Sequence, residues 1–234
     1  MKYLEEGKDY ITKNSYSILS GWHKRADNNV VNMMAEKLNE QIKKRKLEKT
    51  FYVIGEDLIS ALKNNKQIKE DYIGKKNIKY IFVFDSNYDI EHTVLFVINN
   101  ADKTIDLYDT QNHIKDQNAD KKIAKDYEIL KKFYDLYYRM RNLSNKIAKQ
   151  RDNDSCAFYC GLIIQTFIEN GKYQLNNSLK NINLNDVHYF KKRNLRDKIL
   201  KDVNHIILDN IPKETIEVYE NMKHLNRSVG KHNI

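Results

Sequence analysis

The stretch Gln150-Arg151-Asp152-Asn153-Asp154-Ser155-Cys156 lies where a polar turn meets a long apolar run, and this junction decides the fold. Residues Cys156 to Ile168 are apolar nearly all round, which is typical of a helix buried in a core. Asp154 or Ser155 is the expected N-cap, because either side chain accepts hydrogen bonds from the backbone at a helix start. The sequence therefore predicts a buried central helix that begins with a cysteine.

Upstream runs rich in β-branched and aromatic residues predict strands. They are Phe51 to Ile54, Ile78 to Phe84, Thr93 to Ile98 and Thr104 to Tyr108, with Lys146 to Gln150 as a further short candidate. Helical periodicity recurs between and after them. It covers about Asn29 to Arg45, Glu56 to Lys63, Lys121 to Met140, Asp186 to Lys201 and Lys213 to Leu225. The predicted fold class is α+β, with a small mixed β-sheet flanked by helices.

Composition favours a single soluble domain spanning residues 1–234. Seven glycines and one proline give no linker, and no apolar run is long enough for a membrane span or an N-terminal signal segment. The net charge of +9 comes mostly from lysines dispersed among acidic residues, so we do not expect nucleic-acid binding. No heptad repeat or apolar stripe requires a dimer, and a monomer is expected.

The two cysteines, Cys156 and Cys160, fall on one face of the predicted helix. That spacing does not offer good disulfide geometry, which favours a reducing compartment. Two thiols without nearby histidines are too few for a zinc site, so no metal is predicted. Cys160 is expected to be a buried core residue, and it is the fallback if Cys156 is not reactive.

The segment from His92 to Asp109 predicts an antiparallel hairpin. With a two-residue tip at Asn100-Ala101, Ile98 lies opposite Lys103, and at the far end His92 lies opposite Asp109. Opposed residues share a face, so the carboxylate would accept a hydrogen bond from the imidazole. A one-residue slip would separate them onto opposite faces.

Together these residues can form a thiol-based catalytic site. A helix N-terminus and a neighbouring imidazolium both lower the pKa of a thiol such as Cys156. The same helix end offers N–H groups to a developing oxyanion, and Gln150 could add a side-chain amide. His92 would act as the base and Asp109 as its partner; Asp106, on the opposite face of the same strand, is the less favoured acid.

The order and spacing of His92, Asp109, Gln150 and Cys156 resemble clan CE cysteine peptidases, the family of SUMO and ubiquitin-like proteases. In that family a histidine begins a strand, an acid ends the partner strand, and a Gln-x-Asp-x-x-Ser/Asp-Cys run carries the nucleophile. The resemblance covers roughly residues 78–168 and is closest in character to bacterial effector deubiquitinases. It implies the ubiquitin-like-protease fold of the papain-like superfamily, with 1–75 as a variable helical arm and 185–234 as C-terminal helices.

The resemblance also implies a function. It implies cleavage after a C-terminal Gly-Gly by a Cys-His-Asp triad with a glutamine oxyanion donor, and no cofactor. Ubiquitin is the expected partner, with Lys63-linked chains favoured, and SUMO or NEDD8 comes second. Recognition of the modifier is expected from residues 1–75 and the loop Thr110 to Ala119. A bacterial effector of this kind would act in the host cytosol after secretion.

The resemblance also implies three substrate-binding positions, at Trp22, Thr93 and Ala157. Trp22 resembles the tryptophan found near an early acidic helix start. Thr93 replaces the tryptophan that commonly follows the histidine, and Ala157 replaces the glycine that commonly follows the nucleophile. Both replacements affect the expected shape of the channel for the Gly-Gly tail.

Three alternatives remain open at this level. A clan relative that transfers acetyl from acetyl-CoA is disfavoured by Asp109, since such enzymes characteristically carry glutamate there, although the +9 charge fits it. A viral polyprotein-processing protease shares the Gly-Gly preference. A catalytically dead modifier-binding module is the non-enzymatic alternative.

Overall fold

The computed structural model describes residues 26, 28–55, 57–63, 77–87, 92–111, 117–134, 137–150, 152 and 154–191. Trp22 and the helix predicted from Lys213 to Leu225 lie outside the described residues, as do parts of the 1–75 arm. The predicted division into an arm, a catalytic core and C-terminal helices stays a prediction.

Five strands and six α-helices occur along the described residues. The strands are β1 (Phe51–Ile54), β2 (Tyr80–Asn87), β3 (His92–Asn99), β4 (Thr104–Tyr108) and β5 (Arg139–Asn142). The helices are α1 (Asn28–Lys44), α2 (Asp57–Lys63), α3 (Gln117–Tyr134), α4 (Cys156–Asn170), α5 (Asn177–Asn181) and α6 (Leu184–Phe190). None of them is long and apolar enough to cross a membrane.

The five strands form one sheet in the order β1-β2-β3-β4-β5. The two outer pairs, β1 with β2 and β4 with β5, are parallel, while the two inner pairs, β2 with β3 and β3 with β4, are antiparallel. Parallel neighbours need a crossover, and α2 and α3 occupy these connections. The predicted α+β class with a mixed sheet and flanking helices is confirmed.

Helices cover both faces of the sheet. On one face, Leu58 of α2 and Leu130 of α3 pack with Phe96 of β3 in a continuous apolar cluster. On the other face α4 lies against the sheet, where the Phe167 ring stacks on Phe82 with centroids 5.9 Å apart. Helix α4 is buried along most of its length, as its all-round apolar pattern predicts.

The hairpin between β3 and β4 closes differently from the prediction. Asn99 pairs with Thr104. The predicted pairing of Ile98 with Lys103 is therefore wrong. The Asn99 side chain accepts the N–H of Asp102 at 2.9 Å and donates to its carboxylate at 3.0 Å, while Lys103 takes a left-handed φ of 55°. An asparagine turn of this kind extends the loop to residues 100–103 and moves the register.

The register error does not change which face the key residues occupy. Leu95 lies across from Tyr108, so continuing the ladder puts Val94, not His92, across from Asp109. The difference is two residues, and a strand's side chains repeat on the same face every second residue. His92 and Asp109 are therefore diagonal neighbours on one face rather than an opposed pair.

The fifth strand lies at Arg139–Asn142 instead of the predicted Lys146 to Gln150. It is a short edge strand whose one apolar side chain, Met140, stands between exposed or half-exposed polar ones, so its sequence carries no strong strand signal. The predicted segment makes only isolated backbone bonds, from the Ala148 N–H to the Leu179 carbonyl and from the Gln150 N–H to the Thr110 carbonyl.

Two helix boundaries also need correction. Helix α3 begins at Gln117 and ends at Tyr134, so the prediction that it reaches Met140 is wrong. Arg139–Asn142 instead form strand β5 at the edge of the sheet. Helix α6 begins at Leu184, where Asn183 and Asp186 form a capping box, rather than at Asp186. The predicted continuation toward Lys201 lies outside the described residues.

Candidate active site

Cys156 is the first residue of α4, at the end of the polar turn singled out above. Asp152 organises this turn, because its Oδ1 accepts the N–H groups of Asp154 and Ser155, both at 2.8 Å. Ser155 is the N-cap as expected, but its side chain makes no capping hydrogen bond. The first N–H groups of a helix have no acceptor within it, so this end can stabilise negative charge.

His92 and Asp109 meet at the end of the β3–β4 hairpin. His92 Nε2 lies 2.8 Å from Asp109 Oδ1, and both residues are buried. The same carboxylate oxygen accepts the Gln111 N–H at 2.9 Å, and the Asp109 N–H donates to Ser144 Oγ at 2.9 Å. The Gln111 N–H thus holds the carboxylate and Ser144 holds the Asp109 backbone, so the carboxylate can fix the orientation of the imidazole.

The Cys156 thiol lies against the first residues of β3. The Thr93 N–H donates to Cys156 Sγ over 3.4 Å. Burial opposes protonation of His92, but hydrogen bonds to Asp109 and Cys156 and the charges of both raise the pKa of the imidazole to about 9. Asp109 thus binds the imidazole at Nε2, and the interaction of the ring with Cys156 couples the protonation of the imidazole to that of the thiol.

The thiol responds in the opposite direction. Burial alone raises the pKa of Cys156, yet the hydrogen bond with His92, the imidazolium charge and the Thr93 N–H lower it overall. A raised imidazole pKa beside a lowered thiol pKa favours the thiolate–imidazolium pair. This is the reactive form of a cysteine nucleophile.

Cys160 lies one turn further along α4 and differs sharply from Cys156. It is fully buried, and its Sγ faces the Thr93 carbonyl at 3.9 Å. Burial, together with the charges of Cys156 and Asp109, raises the pKa of Cys160 well above its usual range. This environment is that of a neutral core thiol rather than a nucleophile.

Gln150 approaches the site from the start of the polar turn. Its Oε1 accepts the Thr110 hydroxyl at 3.0 Å, and its Nε2 donates to the Asp152 carbonyl at 2.6 Å and carboxylate at 3.2 Å. The amide group is therefore bound at both ends, beside the residue that follows Asp109. Its service as an oxyanion donor stays a prediction.

The other two described candidates are buried. Thr93 has 5% of its surface exposed, and its hydroxyl bonds to Ser86 Oγ at 2.8 Å. Ala157 has 1% of its surface exposed within the first turn of α4. The structure does not place either side chain on an exposed binding surface, and Trp22 lies outside the described residues.

Asp106 belongs to a separate polar cluster. Its carboxylate binds Arg141 through two bonds of 2.7 Å and accepts the hydroxyls of Tyr173 at 2.6 Å and Thr104 at 2.8 Å. Hydrogen bonding to Asp106 raises the pKa of Arg141, so this ion pair is firmly held. Asp109, not Asp106, contacts the histidine.

Sequence reasoning missed several residues that shape the site. Thr110 and Ser144 bind Gln150 and Asp109, and Asp152 caps the turn. Thr110 could have been found because it directly follows Asp109, and Asp152 stands in the quoted motif. Ser144 carried no signal, since only the fold brings the 3-10 helix Ser144–Lys146 to the hairpin.

Lys191 was also missed. It is 3% exposed, its Nζ lies 4.1 Å from the centroid of the Phe158 ring, and among the described residues this nitrogen has no hydrogen-bond partner. Burial lowers the pKa of the ammonium to about 8, although the charges of Asp152 and Asp154 act in the other direction. A buried ammonium therefore lies near the turn that precedes Cys156.

Within the described ranges, no group of three or more histidine, cysteine or acidic side chains could hold a metal ion. The chemistry that the described geometry supports is nucleophilic attack by Cys156 on an acyl carbon. In such a reaction His92 can transfer protons, and the N–H groups at the start of α4 can stabilise an oxyanion.

Solved structures with the same architecture include several SUMO proteases. No protein-family model matches the sequence, and a search of curated proteins gives no match. The SUMO protease Ulp1 with its catalytic cysteine oxidised to a sulfinic acid aligns with a TM-score of 0.62 and 14% identity, over 85% of this chain and 87% of that one. A de-sumoylating protease aligns at 0.62 and 12%, over 89% and 93%.

The C-terminal protease domain of Ulp1 in complex with SMT3, the yeast ortholog of SUMO, aligns with a TM-score of 0.55 and 12% identity. The alignment covers 87% of this chain and 88% of that chain. The likeness therefore extends over most of both molecules, further than the residues 78–168 that the sequence resemblance covers. This chain has the fold of the Ulp1-type, clan CE cysteine proteases.

Proposed function

We propose that this protein is a cysteine protease that cleaves after the C-terminal Gly-Gly of ubiquitin or a ubiquitin-like modifier. The observation that carries the proposal is the arrangement of Cys156, His92 and Asp109. The thiol has a lowered pKa at the start of a buried helix, and the histidine beside it is bound to a carboxylate at 2.8 Å. The Ulp1-type fold supports the choice of substrate class.

The reaction begins with the Cys156 thiolate attacking the carbonyl carbon of the last glycine. The tetrahedral oxyanion is stabilised by N–H groups at the start of α4 and by the Gln150 amide. His92, protonated at the outset, gives its proton to the leaving amine as the C–N bond breaks, which leaves a thioester on Cys156.

Hydrolysis of the thioester completes the cycle. Neutral His92 removes a proton from a water molecule, which attacks the thioester carbonyl, and the thiolate leaves as the modifier's carboxylate forms. Asp109 keeps the imidazole in one orientation through both halves. The proposed cycle draws on side chains, backbone groups and water, with no cofactor.

Ubiquitin is the proposed first substrate, with Lys63-linked chains favoured, and SUMO or NEDD8 the second. The complex of the Ulp1 domain with SMT3 supports a ubiquitin-like modifier as the partner. It also means that SUMO must be tested beside ubiquitin. We propose action in a reducing compartment, because an oxidised Cys156 cannot attack. Host cytosol is the proposed site if the protein is a bacterial effector.

Covalent capture tests the proposal. The protein is mixed with ubiquitin, SUMO or NEDD8 carrying a C-terminal propargyl group, and adducts are read by intact mass. We expect one adduct per molecule with one modifier, its loss in Cys156→Ala and its retention in the matched control Cys160→Ala. An adduct lost only in Cys160→Ala would reassign the nucleophile. The lack of an adduct with all three modifiers would overturn the proposed function.

A further inference from the structure

Two adjacent residues at the end of β4 contact different parts of the candidate active site. Asp109 binds His92 at 2.8 Å. Thr110, which is fully buried, binds Gln150 instead. The dipeptide thus touches the partner of the nucleophile on one side and the candidate oxyanion donor on the other.

The contact between Thr110 and Gln150 has two hydrogen bonds. The Gln150 N–H donates to the Thr110 carbonyl at 2.9 Å, and the Thr110 hydroxyl donates to Gln150 Oε1 at 3.0 Å. The first bond fixes the backbone of Gln150. The second fixes the oxygen of its side-chain amide.

The nitrogen end of the same amide is held by Asp152. Gln150 Nε2 lies 2.6 Å from the Asp152 carbonyl oxygen and 3.2 Å from its Oδ1. An amide has one oxygen and two N–H groups in a plane. With the oxygen bound to Thr110 and the nitrogen bound to Asp152, the plane of the amide is fixed at both ends.

A fixed direction matters for an oxyanion donor. Donors that are aimed before the reaction need no reorganisation when charge develops, and that is the origin of most of their effect. A glutamine side chain is otherwise flexible, and ordering it costs rotamer entropy. Thr110 removes part of this cost in the folded protein, before substrate arrives.

We propose that Thr110 is a positioning residue that orients the Gln150 amide for oxyanion stabilisation, while its neighbour Asp109 orients His92. One dipeptide then aligns the two halves of the site, the proton-transfer group and the oxyanion donor. This inference rests on the proposed thiol-protease function. It assigns Thr110 no contact with substrate.

The kinetic test uses Thr110→Val, which keeps the shape of the side chain and removes its hydroxyl. With the modifier that gives an adduct, supplied as a C-terminal fluorogenic amide, kcat should fall about tenfold and KM should stay unchanged. Thr110→Ser, which restores the hydroxyl, should recover most of kcat. The double variant Thr110→Val/Gln150→Ala should be no slower than Gln150→Ala alone, since Thr110 acts through Gln150.

A second kinetic readout separates the two residues of the dipeptide. The pH profile of Cys156 alkylation by iodoacetamide should be unchanged in Thr110→Val and shifted in Asp109→Asn. Additive effects of Thr110→Val and Gln150→Ala, or a shifted alkylation profile in Thr110→Val, would overturn the proposal. If Thr110→Val does not fold, Thr110→Ala is compared with Thr110→Ser in the same way.

A measurement without substrate keeps this inference distinct from the proposed function. With ¹⁵N-glutamine labelling, the Gln150 side-chain amide signals are assigned by their loss in Gln150→Ala. They should shift in Thr110→Val and return in Thr110→Ser. A protein that processes no modifier but shows these shifts would lose the proposed function and keep the contact that orients Gln150; unshifted signals would overturn the positioning role itself.

Discussion

His92 Nε2 and Asp109 Oδ1 form a 2.8 Å hydrogen bond, although the two residues are not opposite each other in the hairpin. They are diagonal neighbours, and diagonal pairs are within reach of long side chains. The histidine side chain is long enough to span this greater separation. The bond is completed by a carboxylate that the Gln111 and Asp109 backbone contacts already hold in place.

Replacing Asp109 with asparagine should abolish most of the activity. The amide cannot balance an imidazolium charge, so the pKa of His92 should fall from about 9 and the thiolate of Cys156 should be less populated. We expect kcat to drop by about 10³ to 10⁴, as for other triads that lose their acid. Steady-state kinetics on the modifier that reacts in covalent capture measures this, and a loss below tenfold would remove Asp109 from the triad.

The matched control for that variant is Asp106→Asn, on the same strand. Asp106 is fully buried and bonded to Arg141, whose side chain is 40% exposed, so the change should weaken charge-assisted hydrogen bonds and destabilise the fold by about 1 to 2 kcal/mol. The alkylation profile of Cys156 should remain that of the wild type wherever the protein is folded. Urea unfolding and iodoacetamide labelling separate the two effects, and a changed profile would connect Asp106 to the active site.

Alkylation of the native protein should report a single reactive thiol. The pKa of Cys156 is lowered, so its reaction with iodoacetamide should reach its plateau at a lower pH than that of a free thiol, whose pKa is about 8.5. Cys160 has a raised pKa and is fully buried, and it should react only after unfolding. Peptide mapping assigns the label; native modification of Cys160 would contradict the assignment.

The rate of turnover and the rate of Cys156 alkylation should depend differently on pH above about 9. The leaving amine needs a proton from His92, whose pKa is raised to about 9, so kcat for an amide substrate should fall as pH rises through that value. Alkylation needs only the thiolate and should not fall. Parallel pH series of the two rates provide the measurement, and a simultaneous loss of both would indicate alkaline unfolding instead.

Lys191→Met should stabilise the protein at neutral pH. The folded-state pKa of Lys191 is lowered to about 8 from 10.5, so the proton is bound more tightly in the unfolded state. Wild-type stability should therefore rise as pH increases from about 8 to 10.5, and methionine removes this dependence. We expect a gain of about 1 kcal/mol at pH 7, after allowance for screening and the lost Phe158 contact.

Thermal melts of wild type and Lys191→Met across pH 7 to 10 test the sign. The difference between the two proteins should shrink toward pH 10, where the lysine in the wild type is largely neutral. A variant less stable than wild type at pH 7 would mean that attraction to Asp152 and Asp154 outweighs the cost of burial.

Much of the architecture could be predicted because it is built from patterned apolar segments. The all-round apolar run of α4 and the β-branched strands β3 and β4 have local signals that the structure confirms. Edge strand β5 had no such signal, since its contribution is backbone pairing and the ion pair of Arg141 with Asp106. Such a strand is specified by its neighbours, not by its own sequence.

The residues of the candidate site also differ in how far the sequence could predict them. His92, Asp109 and Cys156 could be connected because each stands at the end of an element that the sequence defines. The prediction that His92 and Asp109 lie close together was right despite the wrong hairpin register, because a two-residue shift keeps both on the same face of the sheet. The partners of Asp109 and Gln150, namely Ser144 and Thr110, depend on side-chain contacts across long stretches of chain, which periodicity does not contain.

Helix α4 carries the nucleophile at its first residue and fills the space beneath the sheet with the rest of its length. Its start cannot loosen far while its remainder stays packed, because Phe158 and Tyr159, in the same turn, are buried. One helix therefore holds the candidate nucleophile and also forms part of the core. Heating should therefore abolish the proposed activity in the same transition that unfolds the core, without a partly active intermediate.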